Sequence, residues 1–415
     1  MSKPFDNLLV EVLSPTQNAF VIGHSLIGDN LSIAGAALIW NEYLGTANSL
    51  SIDRGGAQKG SSTSLDVGIL SFRLVNAGDP LGDVAIKPNT LIRVRAANPA
   101  SIPAIVAGGS ANVFCGTLQD VVMNYDHKGN TFVNIVGADG VQSVNNTLSN
   151  IVVSSSGLGY ETWSQRINNL CRLSTTPVNP PVSSGVYTFI IGKNLIGDHL
   201  TSEGAMLQDL VYASTLSNHF DVACNSVGAY WWVDRDNVTQ FRPQLANDEV
   251  VAKFYDVLQP ADALNVYFTG IQASYDTKNV VNNLTMTNHG TKFDAATGYG
   301  ISDDITYIDN NITSQATWGS RGSTVDTSIY NGPGYTTAIQ DRATQILTDY
   351  GTPEVSIQSV TFDALKNLNF AWTIDLYSRV QVIFKGITYN CRVTGIHHDI
   401  SPDGWITTLT LRKER

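Results

Sequence analysis

The stretch that decides the fold lies at the C-terminal end of the chain, where three apolar segments follow one another closely. They read RVQVIF (379–384), ITYNCRV (387–393) and WITTLTL (405–411). β-Branched and aromatic residues are typical of strands, and the two breaks, KG at 385–386 and PDG at 402–404, are typical of turns. The sequence therefore predicts three strands joined by short turns.

Alternation within these segments indicates that each strand has one buried face. Side chains two residues apart point to the same side of a strand. The middle strand would bury the face formed by Ile387, Tyr389, Cys391 and Val393, and the last strand the face formed by Trp405, Thr407, Leu409 and Leu411. Half-buried antiparallel strands are expected, with Trp405 turned inward.

Strand-like segments with alternating apolar residues also occur near the other end of the chain. LIRVR (91–95) and VFCGTLQDV (113–121) are strand-like, and they follow a segment in which the apolar residues alternate, namely Leu70, Phe72 and Leu74. Two β modules are therefore expected to bracket the chain.

These two modules also echo each other in their glycine and aspartate spacing. Asp120 follows Gly116 by four residues, as Asp399 follows Gly395 by four residues. An apolar residue and then a glycine-containing turn come next in both modules. The echo by itself is not specific, because glycine-punctuated strands resemble one another in composition.

The middle of the chain contains helical periodicity and predicts a small α+β part. Residues 161–173 have one apolar face and are stopped by TTPVNPP (175–181). A second helix is expected from a Ser202 cap through Val211, and a third is expected before Gly351, with a buried side formed by Ile339, Ala343, Ile346, Leu347 and Tyr350. The predicted division of the chain is 1–153, 154–250, 251–335 and 336–415.

The order of several short motifs resembles the tail hub, or minor tail, proteins of long-tailed bacteriophages, which are similar to the baseplate hubs of contractile tails. The motifs are LSIDRG (50–55), DVGIL (66–70), LVNAGDPL (74–81), IRV (92–94), FCG (114–116), YWWVDRDN (230–237), FRP (241–243), YDTKNVVN (275–282), RV (379–380) and PDGW (402–405). They contain no reactive group, so the resemblance lies in their order and spacing.

The resemblance implies a structural virion protein, mainly β with an α+β middle, whose first and last parts are similar β-barrels. Three copies would form a ring with pseudo-sixfold symmetry at the distal tail tip, framing the channel for tape-measure protein and DNA. Further partners would be a distal tail or tube protein and tip or fibre proteins. The candidates for structural or ring contacts are Arg54, Asp120, Trp231, Trp232, Arg379, Asp399 and Trp405.

Composition argues against a nucleic-acid-binding or membrane-inserted protein. The 415 residues include 36 acidic and 25 basic ones, for a net charge of −11, and Lys and Arg form no cluster. No apolar run is long enough to span a membrane, and the N-terminal residues do not form a signal peptide. Assembly in a host cytoplasm is expected. The four cysteines lack a paired spacing, so buried free thiols are expected at Cys115, Cys171, Cys224 and Cys391.

The sequence predicts no catalytic, metal or cofactor site. His24-Ser25 lacks the closing glycine of a nucleophile elbow, and Gly192-Lys193 lacks the upstream glycine of a phosphate-binding loop. His397 and His398 would point to opposite faces of a strand and could not share a metal. The loop with Asp303, Asp304 and Asp309 lacks the glycine and glutamate of an EF-hand. A non-enzymatic protein without a cofactor is therefore expected.

Two alternatives remain open, and both concern the host surface. Trp231-Trp232 could stack on a sugar in a carbohydrate-binding tip protein, although alternation predicts one core tryptophan and one near a surface or subunit contact. An unrecognised cell-wall hydrolase is the second alternative. The repeat FVIGHSLIGDNL (20–31) against FIIGKNLIGDHL (189–200) is interpreted as a strand running into a glycine turn, used twice, and a duplicated binding loop is the alternative.

Overall fold

The computed structural model describes most of the chain. The described residues are 4–15, 38–42, 47–56, 58–59, 62–63, 65–75, 88–125, 127, 131–149, 152–154, 157–173, 190–191, 205–243, 248–257 and 264–414. The two copies of the repeat, His24-Ser25, Gly192-Lys193 and Ser202 therefore lie outside the described residues, apart from Ile190–Ile191.

The described residues form mainly strands. The strands of the first β region are β1 (Leu8–Pro15), β2 (Leu38–Glu42), β3 (Ala47–Gly55), β4 (Gln58–Lys59), β5 (Ser62–Thr63), β6 (Asp66–Val75), β7 (Leu91–Ala96), β8 (Asn112–Tyr125) and β9 (Thr131–Ala138). The middle strands are β10 (Leu148–Ser149), β11 (Tyr160–Glu161), β12 (Ile190–Ile191), β13 (Leu207–Gln208), β14 (Ser214–Thr215), β15 (Ala229–Val233) and β16 (Val238–Pro243).

Strands dominate the second half as well. They are β17 (Ala252–Tyr255), β18 (Asn265–Tyr267), β19 (Gly270–Asp276), β20 (Asn283–Asn288), β21 (Thr291–Asp294), β22 (Tyr299–Ser302), β23 (Ile305–Asn310), β24 (Gly322–Thr327), β25 (Glu354–Asp363), β26 (Arg379–Phe384), β27 (Ile387–Ser401) and β28 (Gly404–Lys413). The helices are α1 (Pro103–Val106), α2 (Val141–Asn146), α3 (Trp163–Leu173), α4 (Leu216–Val227), α5 (Ile312–Trp318), α6 (Ala338–Tyr350) and α7 (Leu368–Thr373), with short 3-10 turns at Pro4–Asn7 and Pro99–Ser101.

Both ends of the chain contribute to one 14-stranded sheet. Its main order is β18-β17-β26-β27-β3-β6-β9-β8-β7-β1-β2, and β28, β25 and β19 branch from β27. The connection between the two ends is the antiparallel pairing of β3 with β27, from Gly55 opposite Gly395 to Leu50 opposite Ile400. We call this pairing the seam.

Strand β27 is the branch point because it is 15 residues long and pairs along both of its edges. One edge pairs with β26 and then β3, and the other edge pairs with β28. A bulge between Val393 and Gly395 changes which residues face inward, so that Cys391 and Val393 are buried before it and Ile396, His398 and Ile400 after it.

The two β regions also share one hydrophobic core. Val10, Phe72 and Phe114 from the first region belong to the same cluster as Phe254 and Trp405 from the last. Burial on this scale is the main stabilising contribution in a fold. A second core is formed by α3, α4 and the strands beside them, and a third lies between α6 and β20.

The strand predictions at both ends are confirmed, and the fold is mainly β. RVQVIF is β26, and the other two terminal segments lie in β27 and β28. The expectation that Ile387 is buried is wrong, because it lies beside the turn at the start of β27 and is 56% exposed. Trp405 is fully buried, as its inward position predicted. The fourfold division of the chain stays a prediction.

Two of the three helix predictions are confirmed, and one is wrong. Helix α3 occupies the predicted segment, and α6 buries all five residues expected on its inner side. The helix expected to run through Val211 is absent, because Leu207–Gln208 pairs with Tyr160–Glu161 as a strand instead. Helix α4 comes after this strand pair in the chain. The Thr215 hydroxyl caps its N-terminus, and Gly228 ends it with a φ of 71°.

Candidate functional site

A densely connected polar site lies under the seam, where the first, middle and last parts of the chain meet. Its centre is the turn between β15 and β16, residues 234–237, a part of the YWWVDRDN motif. Asp234 shapes the turn by accepting hydrogen bonds from the backbone amides of Asp236 and Val238. Asn237 occupies a left-handed conformation, with a φ of 64°. We call this site the junction.

Asp375 is the acceptor that joins the three parts at the junction. Arg54 of β3 donates to one of its carboxylate oxygens at 2.7 Å and to the carbonyl of Val233 at 3.0 Å. Arg235 donates to the other oxygen at 3.2 Å and also to the carbonyls of Trp372 and Ile374. Both guanidinium groups are buried, so their donors need these protein acceptors.

The electrostatics of the junction follow from burial and from an excess of carboxylates. Burial alone would raise the pKa of Asp375, but the charges of Arg54 and Arg235 outweigh it and hold this pKa well below its usual range. Burial raises the pKa of Asp139 to about 6, and burial together with the nearby Asp375 raises that of Asp234 to about 7.

Trp231 and Trp232 attach the junction to two different cores. They point to opposite sides of β15, as alternation predicted. The expectation that one of them lies near a surface is wrong, because they are only 5% and 8% exposed. Trp231 packs on Phe220 in the middle core and donates to Asp221 at 2.7 Å, whereas Trp232 packs on Tyr377 in the main core.

Arg379 belongs to a second ionic cluster, at the end of the last β region. It donates to Glu414 at 2.7 Å and to the carbonyl of Asp248 at 3.0 Å. Arg392 binds the same two residues through their carboxylates. The cluster fastens the end of the chain and the segment after β16 to β26 and β27.

Asp120 and Asp399, the two echoing aspartates, both lie exposed on one row across the sheet. The row passes from strand to strand through directly opposed residues, namely Asp120, Val136, Ser71, Ser51, Asp399 and Ile406. Four strand spacings of about 4.8 Å separate the two carboxylates, or about 19 Å. The sheet therefore places the echo on a single face.

Trp405 and the histidine pair lie beside the seam. The indole of Trp405 donates to His398 at 3.2 Å, and burial together with the nearby Arg235 lowers the pKa of His398 to about 3, which leaves it neutral. His397 lies on the opposite face and pairs with Asp53 at 2.5 Å. The two imidazoles are thus engaged separately, as predicted.

The other candidates for chemistry are engaged in structural contacts. Asp303 pairs with Lys292 at 3.0 Å and Asp304 with His289 at 3.2 Å, and no described group of three ligands could hold a metal ion. Burial raises the pKa of the Cys391 thiol to about 12. The prediction of buried free thiols is confirmed for Cys115, Cys224 and Cys391.

Sequence reasoning missed Asp375, which is the acceptor that the junction depends on. Its only local signal is an acidic residue between two apolar ones, Ile374 and Leu376, directly after the apolar helix α7. Such a carboxylate has no neighbouring base in the sequence, because its partners are contributed by distant segments.

No family model matches the sequence, and no curated protein matches it either. Solved structures do. A tail protein from Neisseria meningitidis MC58 has a TM-score of 0.58 at 14% identity, over 98% of this chain and 97% of that one. The 43 kDa tail protein of prophage MuSo2 from Shewanella oneidensis has a TM-score of 0.52 at 12% identity, over 98% of each chain.

The chain has the fold of these phage tail proteins. The resemblance predicted from the motifs is confirmed at the level of the fold, and it extends over nearly the whole chain. Among the described residues, no helix is long and apolar enough to cross a membrane.

Proposed function

We propose that this protein is a structural component of a phage tail, the hub at the distal tip. Three copies would close a ring that joins the tail tube to the host-facing tip and frames the channel for tape-measure protein and DNA. The observation that carries the proposal is the match in fold, end to end, with two tail proteins.

The internal arrangement of the sheet supports a ring with pseudo-sixfold character. Each β region contributes one long strand with a bulge, β8 with 14 residues and β27 with 15. These strands carry the echoing aspartates on the same face. Two similar regions joined edge to edge in each copy would give six similar positions in a ring of three.

The polar contacts of the junction are suited to holding structural segments together rather than to catalysis. The described side-chain hydrogen bonds of Arg54 and Arg235 all lead to other segments of the chain, and Asp375 accepts from both guanidinium groups as well as from the Leu376 amide. Such a site fixes the relative position of three parts of the chain. The burial of Trp231 and Trp232 argues against the carbohydrate-binding alternative, because neither ring has a face free for a sugar.

The test is to locate the protein in the source particle. Immunogold labelling with antibodies to the purified chain is expected to mark only the distal end of the tail, and electron cryomicroscopy is expected to show threefold density there. Labels along the tube, or a particle that lacks the chain, would overturn the proposal. Native mass spectrometry of detached tips measures the copy number. Tips that contain this chain only as dimers would contradict a ring of three.

A further inference from the structure

A projecting hairpin in the third part of the chain exposes large apolar side chains on both of its faces. Strands β21 and β22 pair only with each other. Phe293 is 74% exposed and Tyr299 76%, and they lie on opposite faces because Phe293 is paired with Gly300. Polar side chains are the usual choice on a hairpin exposed to water.

The next two elements also expose large apolar side chains. Ile308 of edge strand β23 is 61% exposed and Ile312, at the start of α5, is 75% exposed. Two more large apolar residues, Ile301 and Ile305, are also exposed. We call residues 291–312 the apolar segment.

The apolar segment is an ordered element with internal hydrogen bonds. Asp294 stabilises the hairpin turn by accepting from the Ala296 amide at 3.0 Å and the Thr297 hydroxyl at 2.8 Å. Gly298 closes the turn with a φ of 73°. At the base, Gln208 donates to the carbonyl of His289 at 3.0 Å, which ties the hairpin to β13. The exposed side chains are therefore presented on a fixed backbone.

The exposed apolar area of the hairpin is large for a surface in contact with water. Aromatic side chains carry roughly 150–250 Å² each, so Phe293 and Tyr299 alone expose on the order of 300 Å², about half on each face of the hairpin. The largest apolar patch on a typical monomer is about 300–600 Å² and is often functional. A partner that covers both faces of the hairpin would bury this area.

The charges around this surface decide which partner fits it. The apolar segment carries four aspartates, Asp294, Asp303, Asp304 and Asp309, against the single Lys292, which is already paired with Asp303. A second copy of a chain with a net charge of −11 brings the same acidic excess. Complementary potentials favour opposite charge across an interface.

We propose that the apolar segment docks a different protein, one that presents an apolar patch rimmed by lysine and arginine. The inference rests on the proposed tail role, since a tail component has neighbours of other sequence. In this contact the apolar side chains lie at the centre and the aspartates lie at the rim.

The first test is photo-crosslinking in the source particle. A benzophenone side chain at position 293 is expected to form an adduct with a chain of different sequence, at a site flanked by lysine or arginine. The same probe at Val106, which is 68% exposed on α1, is the matched control and should not give that adduct. An adduct with another copy of this chain, or none from position 293, would overturn the inference.

Neutralising the rim tests the charge argument separately. Asp303→Asn with Asp309→Asn is expected to lower the adduct yield about fivefold, as the loss of exposed ion pairs predicts. Asp66→Asn with Asp403→Asn removes two exposed charges elsewhere and should leave the yield unchanged. An equal yield from both double variants would contradict a basic rim on the partner.

Sedimentation of the purified chain excludes a second copy without reference to any particle. The parent and Phe293→Ser with Ile308→Ser are expected to sediment alike at low and high salt. Self-association that these substitutions remove would identify a second copy as the occupant and overturn the inference. A particle that lacks the chain would instead overturn the proposed function. Sedimentation would then be the remaining test of the inference.

Discussion

At the scale of single residues, Trp405 has the largest packing role in the last β region. It is fully buried, its ring meets that of Trp372 edge to face at 5.2 Å, and its indole nitrogen has a partner in His398. It also follows the tight turn between β27 and β28 directly. Packing and strand pairing therefore depend on the same side chain.

Trp405→Ala is expected to lower the free energy of unfolding by about 3–5 kcal/mol, because the surrounding core cannot close the resulting cavity. Guanidinium unfolding followed by circular dichroism measures the change. Ile406→Ala, at the next position and 40% exposed, is the matched control and should cost much less. A Trp405→Ala variant as stable as the parent would show that the side chain lies outside the core.

Asp234 gives stability a dependence on pH whose sign can be worked out. Its pKa rises from 3.8 to about 7 in the fold, chiefly through burial. Between these values the folded chain holds a proton that the unfolded chain has released, so stability falls as the pH rises through this window. Burial raises the pKa of Asp139 and that of Asp221 to about 6, and both act in the same direction. His398, whose pKa is lowered to about 3, acts in the opposite direction below pH 6.5, but it is one group against three.

The parent protein is therefore expected to melt at a higher temperature at pH 5.5 than at pH 8. Asp234→Asn should reduce this difference and raise the melting temperature at pH 8, since the amide oxygen can still accept from the Asp236 and Val238 amides. Differential scanning calorimetry at the two pH values measures it. A variant with an undiminished pH difference would contradict the role given to Asp234.

At the scale of elements, the seam between β3 and β27 depends on close approach at a glycine. Gly55 ends β3 with a φ of 92°, and a Cβ atom there would collide with the Thr394 carbonyl and with Leu376. The neighbouring Arg54 donates to Asp375 in the junction. Backbone approach and ionic contact therefore converge at the end of one strand.

Gly55→Ala is expected to destabilise the protein by about 3 kcal/mol or more, because backbone strain and collision add. Gly386→Ala is the matched control, since Gly386 has a φ of 78° with open space around it and should cost only about 1 kcal/mol. Urea unfolding of both variants measures the difference. Equal losses would mean that the seam tolerates a wider spacing.

At the scale of the whole molecule, charge and the exposed sheet face suggest a surface that does not hold DNA. The net charge is −11, and the face opposite the core carries Asp53, Asp120 and Asp399. Like charge repels phosphate at short range, within about 8 Å at physiological salt. If this face lines the proposed channel, it would let DNA pass without retaining it.

A gel-shift titration at low salt is expected to show no retention of double-stranded DNA by the purified protein. Low salt is a demanding condition because it strengthens any electrostatic attraction. Micromolar affinity that disappears when a few lysines or arginines are neutralised would contradict this prediction. It would also reopen a nucleic-acid-binding role.

The sequence by itself determined the strands at both ends, helix α6 and the inward position of Trp405. These properties are local, because an alternation of two or a period of 3.6 residues reports which side of one element is apolar. The helix expected through Val211 failed for the opposite reason: its apolar residues fit a strand once Tyr160–Glu161 lies beside them. A weak local preference for helix yields to pairing with a neighbouring strand.

Only the tertiary structure decided the seam, the junction and the burial of both tryptophans of β15. Arg54 and Asp375 are 321 residues apart, and β3 meets β27 over a similar separation. Alternation assigns one buried face to a strand, but it cannot tell whether a second core covers the other face, as happens at Trp231. Strand partners and second faces are chosen by contacts between distant segments, which no local pattern of residues records.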